Sequence, residues 1–305
     1  MPMALAAVEH AFRSMAAGTA AMPAKVYLDL PEHNGDFRAM PARLGPVAGL
    51  KWVNSHPENP SRHGLPSVLG LYVLSDPATA MPLAVMDGTS LTALRTGAAA
   101  GVASKFLARS DAKTLGLVGA GVQAVQFLDA HRELFPHISV RVADKDVERA
   151  ARFASAHGVQ ATSTEEAAGS DIVCIATPSR EPVIFAAMVK AGAHINAMGA
   201  DAPGKQELAG ELLGSAQVFV DEIEQATHSG EINVPLHDGT YSQDQIAGTI
   251  GDVILEKTAG RRDAGEITIF DSTGLAVQDL ALAAKIYEGA GDRGIEADIV
   301  GCQSS

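Results

Sequence analysis

Cysteine and basic charge are scarce in this 305-residue sequence, and each shortage excludes a class of protein. Its two cysteines, Cys174 and Cys302, are too few for a disulfide framework, and Cys174, which lies in an apolar run, is expected to be a small buried side chain. Lysine and arginine total 23 against 36 acidic residues, which gives a formal net charge of −13. A chain this acidic lacks the basic surface with which nucleic-acid-binding proteins hold phosphates, so no nucleic-acid partner is expected.

Long apolar runs are also missing. No run reaches the ~18 residues that a membrane-spanning helix requires, so no membrane association is expected. Glu9, His10 and Arg13 interrupt the alanine-rich start, where a signal peptide would need a continuous apolar segment. The expected location is therefore the cytoplasm. The composition, 47% hydrophobic and 19% charged, is that of a globular protein with room for about two domains.

The chain has two stretches with different rhythms of secondary structure. After an amphipathic first helix, short apolar runs predict one strand after another and then a helix over 90–109, which favours a largely antiparallel or mixed sheet. The predicted strands cover 25–30, 37–40, 50–54, 67–75 and 82–86. From residue 111 strands alternate with helices, as in doubly wound parallel sheets. Here the main predicted strands cover 114–118, 138–143, 171–176, 193–198, 217–220 and 267–270.

Two further helices are predicted toward the carboxyl end. The first covers 242–257, with Ser242 as its cap and acidic residues in its first turn. The second covers about 275–288, is amphipathic, and could pack on either part of the molecule. The predicted fold class is α/β, with a doubly wound Rossmann domain and a strand-rich α+β domain.

A glycine-rich turn follows the first strand of the alternating stretch. Residues 115–124 read LGLVGAGVQA, which has the form G-x-G-x-x-A between a strand and a helix. Gly119 permits the tight turn, Gly121 lets the backbone approach a pyrophosphate, and Ala124 allows close packing of helix and strand. The first amides of the helix point at the same place. The pattern predicts a dinucleotide-binding site.

Asp144 bears on the choice of dinucleotide. It ends the second strand of this stretch, 23 residues after Gly121. A carboxylate there accepts hydrogen bonds from the ribose hydroxyls and repels a 2′-phosphate, which favours NAD over NADP. Lys145 follows directly and could swing toward such a phosphate.

Short polar stretches follow three later strands and would meet at the ligand crevice. They are 176–179, 199–201 and 271–274. Ser, Thr, Asp and Gly serve equally well in turns and caps, so Thr177 and Ser272 are compatible with either ligand contact or turn chemistry.

Four cations lie in otherwise apolar segments. Lys25, Arg38 and Lys51 occupy three successive predicted strands, and Arg95 lies within an apolar helical run. They are either surface charges whose stems cross an apolar wall, or a converging pocket for a carboxylate with an ionisable amine that acts as acid and base. His228 and Glu231 are three residues apart but lack a third ligand, so they predict a solvated helix end and no metal site.

The sequence resembles the ornithine cyclodeaminase/μ-crystallin family, and within it the archaeal-type alanine dehydrogenases. The resemblance extends from about residue 7 to residue 287. It rests on RAMPA at 38–42, GLKWVNSHP at 49–57, LRTGA at 94–98, ATPSR at 176–180, GADAPGKQE at 199–207 and FDSTGLA at 270–276. The family has a short strand and helix ahead of the segment that begins here at Met1, so the outer strand of the first domain is where this chain is expected to depart from the family.

The resemblance implies roles for the four cations and for one carboxylate. Lys51 would be the proton donor and acceptor beside the reacting carbon, Lys25 and Arg38 would hold the substrate carboxylate, and Arg95 would lie near both substrate and cofactor. Asp201 would face the amino or imino nitrogen. Lys51 and Asp201 are thus the expected catalytic residues.

The resemblance also implies an NAD site, a homodimer and a domain division. The expected cofactor-binding residues are Arg95, Thr96, Gly119, Gly121, Val122, Gln123, Asp144, Thr177, Lys205 and Ser272. Residues 1–110 and 275–305 would form a substrate-binding and dimerisation domain, and residues 111–274 the Rossmann domain.

The expected function is an NAD-dependent amino-acid dehydrogenase that uses a small 2-oxo acid and ammonia, alanine-type in character. An ornithine-type cyclodeaminase, or an imine or ketimine reductase for a substrate such as iminosuccinate, stays open because the same catalytic residues serve these reactions. A non-catalytic nucleotide-binding protein of the crystallin kind is the third hypothesis, against which Lys51, Arg95 and Asp201 argue.

Overall fold

The chain folds around two β-sheets in a computed structural model that describes residues 1–291 and 293–294. The helices are α1 (Pro2–Ala16), α2 (Asn59–His63), α3 (Gly88–Leu107), α4 (Val122–Leu134), α5 (Val147–His157), α6 (Thr164–Ala168), α7 (Gly210–Gly214), α8 (Ile223–Ser229), α9 (Asn233–His237), α10 (Ile250–Ile254) and α11 (Ala276–Ala290). Short 3₁₀ turns occupy Pro31–His33, Ala186–Met188 and Gln243–Gln245.

The first sheet is antiparallel. Its strands are β1 (Ala20–Ala21), β2 (Val26–Leu30), β3 (Gly35–Leu44), β4 (Val47–Ser55), β5 (Gly70–Ser75) and β6 (Pro82–Asp87). Strands β3 to β6 are neighbours in chain order, and β1 and β2 both pair with β3. Connections this short between adjacent strands are those that an antiparallel sheet requires.

The register of this sheet separates its two faces. Tyr27 pairs with Arg38, Arg38 with Val53, and Lys51 with Tyr72, so these side chains share one face, the inner face, which packs on helices. The opposite, outer face carries exposed apolar side chains, namely Val26, Leu28, Leu50, Trp52, Leu71 and Val85.

The second sheet is parallel throughout. Its strands are β7 (Thr114–Val118), β8 (Ser139–Ala143), β9 (Gln160–Ala161), β10 (Ile172–Ile175), β11 (His194–Ala197), β12 (Gln217–Val220), β13 (Ile246–Thr249) and β14 (Thr268–Asp271). Their spatial order is β13-β12-β14-β11-β10-β7-β8-β9. The strand order reverses between β7 and β10, which is where ligands bind in open parallel sheets.

Two helices join the sheets. Helix α3 is apolar and buried along most of its length, and it packs on α1, α4, β5, β11 and β14. Helix α11 returns the chain to the first sheet and packs on α1, β3 and β4 through Val277, Leu280 and Ala281. The predicted fold class is therefore confirmed. Part of the predicted 275–305 segment, namely residues 295–305 with Cys302, lies outside the described residues.

The predicted helix over 242–257 is wrong. Ser242 caps a single 3₁₀ turn, β13 then adds an edge strand beside β12, and only Ile250–Ile254 is helical. Thr249 starts that helix by accepting a hydrogen bond from the Asp252 amide. The free edge of β12 offered backbone partners that no local pattern reports. No helix among the described residues is long and apolar enough to cross a membrane.

Candidate functional site

The glycine-rich turn between β7 and α4 is shaped for a close ligand. Gly119 has φ +99°, and a Cβ there would lie 2.6 Å from the Ala176 carbonyl oxygen, so only glycine fits. Above Gly121 the space is open for at least 4 Å. No side chain caps the amino end of α4, and Val122 at its first position is 70% exposed. The buried Oε1 of Gln123 has no hydrogen-bond partner.

Asp144 lies against this turn, as its position after β8 predicted. Its Oδ2 accepts a hydrogen bond from the Ala120 amide at 2.8 Å, and its Oδ1 accepts one from the Asp146 amide at 2.9 Å. The Arg149 guanidinium lies 3.7 Å from Oδ2. The carboxylate is therefore fixed in place beside the turn by backbone amides.

Glu207, which the sequence patterns did not single out, ties the loops after β10 and β11 together. Its Oε1 accepts hydrogen bonds from the Thr177 amide at 2.6 Å and the Thr177 hydroxyl at 2.7 Å, and its Oε2 accepts one from the Gly199 amide at 2.8 Å. Burial raises the pKa of Glu207 to about 7 in spite of these bonds. The residue does lie in the GADAPGKQE motif, so its motif context was the available signal.

Asp221 serves the loop after β14 in the same way. Its carboxylate accepts hydrogen bonds from the Ser272 and Thr273 hydroxyls at 3.1 Å and from the Gly274 amide at 2.7 Å. Thr177 and Ser272 thus both hydrogen-bond to buried carboxylates at the carboxyl edge of the parallel sheet. Burial raises the pKa of Asp221.

The four cations converge on this edge. Arg38, Lys51 and Arg95 are all buried, so they are not surface charges. Lys25 is half-buried, and its Nζ donates to the Thr273 carbonyl oxygen at 2.6 Å, which joins the start of β2 to the loop after β14. Burial lowers the pKa of Lys25 to about 8, although nearby Asp221 opposes the shift.

Arg38 is fully engaged by two carboxylates. Its Nε and Nη2 donate to Asp36 at 2.8 Å each, a bidentate pair, and its Nη1 donates to Asp201 at 2.7 Å. Lys205 Nζ donates to the other oxygen of Asp201 at 2.6 Å. Burial alone would raise the pKa of Asp201, but Arg38 and Lys205 outweigh it and hold that pKa well below its usual range. Asp36 is a further site residue that the patterns missed.

Lys51 is 1% exposed and pairs with Asp279 of α11, whose Oδ2 lies 2.7 Å from Nζ. Burial lowers the pKa of Lys51 to about 7, while Asp279 opposes the shift. Arg95 Nε lies 3.3 Å from the other Asp279 oxygen. Asp279 was missed because it is a single carboxylate in an amphipathic helix more than 200 positions away in the chain.

Gly274 lets Arg95 reach this place. Its φ is +78°, and a Cβ there would lie 2.5 Å from the Arg95 guanidinium. Thr96, the residue after Arg95, is buried, and its hydroxyl donates to the Thr92 carbonyl oxygen within α3 at 2.8 Å. The arginine therefore lies between the two sheets, against the loop that follows β14.

The predicted solvated helix end at His228 and Glu231 is half wrong. His228 is exposed, but Glu231 is fully buried, because Asp271 accepts a hydrogen bond from its amide and turns it inward. Glu231 in turn accepts one from the Glu207 amide at 2.8 Å. No cluster of metal-ligating side chains occurs among the described residues. His228 also lines a cavity of about 440 Å³ together with Lys25, Tyr27 and Gln225.

Comparison with known proteins identifies relatives over the whole molecule. The ornithine cyclodeaminase/mu-crystallin family matches residues 1–294. The alanine dehydrogenase of Archaeoglobus fulgidus is 49% identical over 304 residues, which cover 98% of this chain and 94% of that protein.

Solved structures agree with this result. An archaeal alanine dehydrogenase dimer with bound NAD superimposes with a TM-score of 0.93 at 49% identity, over 97% of this chain and 93% of that one. The Δ1-pyrroline-2-carboxylate reductase of Thermococcus litoralis, in complex with NADH and L-proline, gives 0.91 at 35% identity, over 97% and 95%.

Proposed function

The chain belongs to the ornithine cyclodeaminase/mu-crystallin family, and on this premise we propose that it is an NAD-dependent oxidoreductase of the CH–NH2 group of a small L-amino acid. In the reductive direction it joins a 2-oxo acid and ammonia with NADH to give the amino acid. One observation carries the proposal: the inner face of the antiparallel sheet brings Lys25, Arg38 and Lys51 to the carboxyl edge of the parallel sheet.

The residues around the glycine-rich turn fit NAD. The open space above Gly121, the uncapped amino end of α4 and the unpaired Gln123 Oε1 are features that a pyrophosphate and a nicotinamide nucleotide would satisfy. Gly119, Val122, Asp144, Thr177 and Ser272 complete this side of the crevice, with Arg95, Thr96 and Lys205 toward the substrate. When bound, NAD supplies the acceptor and donor of the hydride.

Lys25 and Arg38 hold the substrate carboxylate. Lys25 uses one of its donors on Thr273, and Asp36 occupies two of the Arg38 nitrogens, so Nη1 is the nitrogen that a substrate carboxylate meets. Two cations on one carboxylate fix the orientation of the reacting carbon, which in well-placed systems contributes ~7–11 kcal/mol to catalysis.

Lys51 moves the proton. Loss of a hydride from Cα requires a neutral amine, and addition of water to the resulting imine requires a base. A lysine whose pKa lies near 7 is present in both protonation states at neutral pH, so it can accept and donate that proton. Asp201 faces the nitrogen and stabilises its positive charge.

We further propose that the outer face of the first sheet is the surface of a homodimer. Exposed apolar side chains from β2, β4, β5 and β6 form one continuous patch there, and such patches mark protein contacts. Residues 1–110 with 275–305 then form the substrate-binding and dimerisation domain, and residues 111–274 the Rossmann domain.

An assay of cofactor balance tests the reaction. NADH should be consumed only when a 2-oxo acid such as pyruvate and ammonia are both present, and L-alanine with NAD should give NADH and free ammonium in equal amounts. NADPH should work less well, because a 2′-phosphate would meet Asp144. The Asp144→Ala variant should narrow that gap.

Two results would contradict parts of this proposal. Conversion of ornithine to proline with ammonia release and no accumulated NADH would make the chain a cyclodeaminase, in which a side-chain amine replaces water. Consumption of NADH with an oxo-dicarboxylate alone would keep the chemistry and replace the small substrate.

A further inference from the structure

Asp279 occupies a position for which neither the sequence motifs nor the proposed reaction gives a reason. Its side chain is fully buried in the first turn of α11, among Ala276, Val277 and Leu280. A carboxylate in such a place costs several kcal/mol unless it is paired. It is paired twice, with Lys51 of β4 through one oxygen and with Arg95 of α3 through the other.

We propose that Asp279 is the positioning residue of the site: it holds the Lys51 amine and the Arg95 guanidinium on its two oxygens and keeps Lys51 able to carry a proton. The inference rests on the proposed function only in the assignment of proton transfer to Lys51. The geometry itself, three charged side chains from three separate elements on one carboxylate, does not depend on it.

The packing leaves Lys51 no other orientation. Its cross-strand neighbours on the inner face are Met40 and Tyr72, both buried. Within the described residues, Asp279 is the carboxylate that lies within 4 Å of Lys51 Nζ. Gln278, the residue before Asp279, accepts a hydrogen bond from Arg95 Nη1 at 3.4 Å, so the first turn of α11 contacts the arginine twice.

The charges around Lys51 explain why the carboxylate is needed. The titratable and charged groups that face its amine are Asp279 from α11, Arg95 from α3, Lys25 from the start of β2, and Tyr72 from β5. Burial, Arg95 and Lys25 all lower the lysine pKa, and Asp279 alone raises it. Burial and the nearby Asp279 raise the pKa of Tyr72, so its phenol stays neutral. Without Asp279, the ammonium form of Lys51 would be nearly absent at neutral pH.

The direct test follows the lysine and not the reaction. In protein labelled with [ε-¹³C]lysine, the Lys51 resonance is assigned by its absence in Lys51→Met, and its titration midpoint is measured by NMR. In Asp279→Asn, which keeps the volume and removes the charge, the midpoint should fall by about one pH unit or more. An unchanged midpoint overturns the proposal. Because this readout needs no turnover, it stands even if every amino-acid substrate fails.

Kinetics then separate position from charge. In Asp279→Asn, kcat should fall about 10- to 100-fold, less than the ~10²–10⁴-fold expected when the acid–base group itself is lost, and the acidic limb of the kcat/KM profile should move to lower pH. KM for NADH should stay close to its wild-type value. Asp279→Glu keeps the charge and displaces it, so kcat should fall while the lysine midpoint stays near the wild-type value. If Asp279→Asn does not fold, this variant carries the test, and wild-type kcat in Asp279→Glu contradicts the proposal.

Asp171→Asn is the matched control. Asp171 is a half-buried carboxylate at the other edge of the parallel sheet, where it pairs with Lys190 and accepts hydrogen bonds from Lys113 and Thr114. Its loss should lower the stability of the protein and leave the Lys51 midpoint and the pH profile in place. An equal shift of the midpoint in Asp171→Asn would mean that general destabilisation causes it, and the proposal would be wrong.

Discussion

Lys51 shows how much a single residue determines at this site. It is buried on the inner face of an antiparallel sheet, yet it contacts a helix that the chain reaches only near its end. Burial places its pKa near the pH at which an intracellular enzyme works, which is where a proton-transfer group is most effective.

Replacement of Lys51 by methionine keeps the stem and removes the amine. We expect turnover to fall by ~10²–10⁴-fold while NADH binding survives. The unfolding free energy should also fall, by up to about 3–5 kcal/mol, because Asp279 keeps only Arg95 as its partner. Steady-state rates, NADH titration and urea unfolding measure the three effects. Near-wild-type turnover in the folded variant would show that another group moves the proton.

The motif residues could be predicted because each follows a strand at a recognisable spacing. Gly119, Asp144, Thr177 and Ser272 all lie at the carboxyl edge of the parallel sheet. Asp36, Glu207, Asp221 and Asp279 could not, because a carboxylate is marked as a site residue by its burial and its partners. Those partners, such as Lys51 for Asp279, come from distant segments that only the fold brings together.

Among the elements, the predictions succeeded where hydrophobic periodicity had no competitor. The bounds of β7, α5 and β12 agree with the predicted ones. The segment 242–257 has helical spacing as well, but the open edge of β12 outweighed it. A pairing decided by a neighbouring strand leaves no periodic trace in the segment itself.

The loops after β10 and β11 form one functional element because Glu207 joins them. Burial raises the folded-state pKa of Glu207 to about 7 from an ordinary 4.5, so the folded protein binds a proton that the unfolded chain has lost. This contribution to stability is complete below about pH 4.5 and disappears as the pH rises through about 7, at a rate of at most about 1.4 kcal/mol per pH unit.

The variant Glu207→Gln should therefore show a shallower fall in unfolding free energy between pH 5 and pH 8, as these ~pH limits bracket the titration. Urea unfolding at several pH values, followed by circular dichroism, measures the slope. Glu211→Gln is the matched control, because Glu211 is exposed on nearby α7 and should leave the slope unchanged. The same slope in Glu207→Gln and the wild-type protein would contradict the assignment of this proton.

At the scale of the whole molecule, the apolar outer face predicts the assembly. A lysine in place of Leu71, which is 55% exposed at the centre of that face, would put a charge into the contact and should convert a dimer into monomers. Analytical ultracentrifugation gives the mass. Met3→Lys is the control, since Met3 is a similarly exposed apolar residue on α1. A monomeric wild-type protein, or a dimeric Leu71→Lys variant, would contradict the proposed interface.

The pairing of Arg38 with Asp201 has a consequence for discrimination between ligands. Each of these groups already has an internal counterpart before a ligand arrives, so binding is an exchange of partners and its affinity is a difference between two sets of contacts. A zwitterion completes both halves of the exchange, since its carboxylate replaces Asp201 on the guanidinium and its cationic nitrogen replaces Arg38 on Asp201. A carboxylic acid without that nitrogen completes only one half and leaves Asp201 with Lys205 alone. Selection of amino acids over simple acids is thus already encoded in the contacts of the empty pocket.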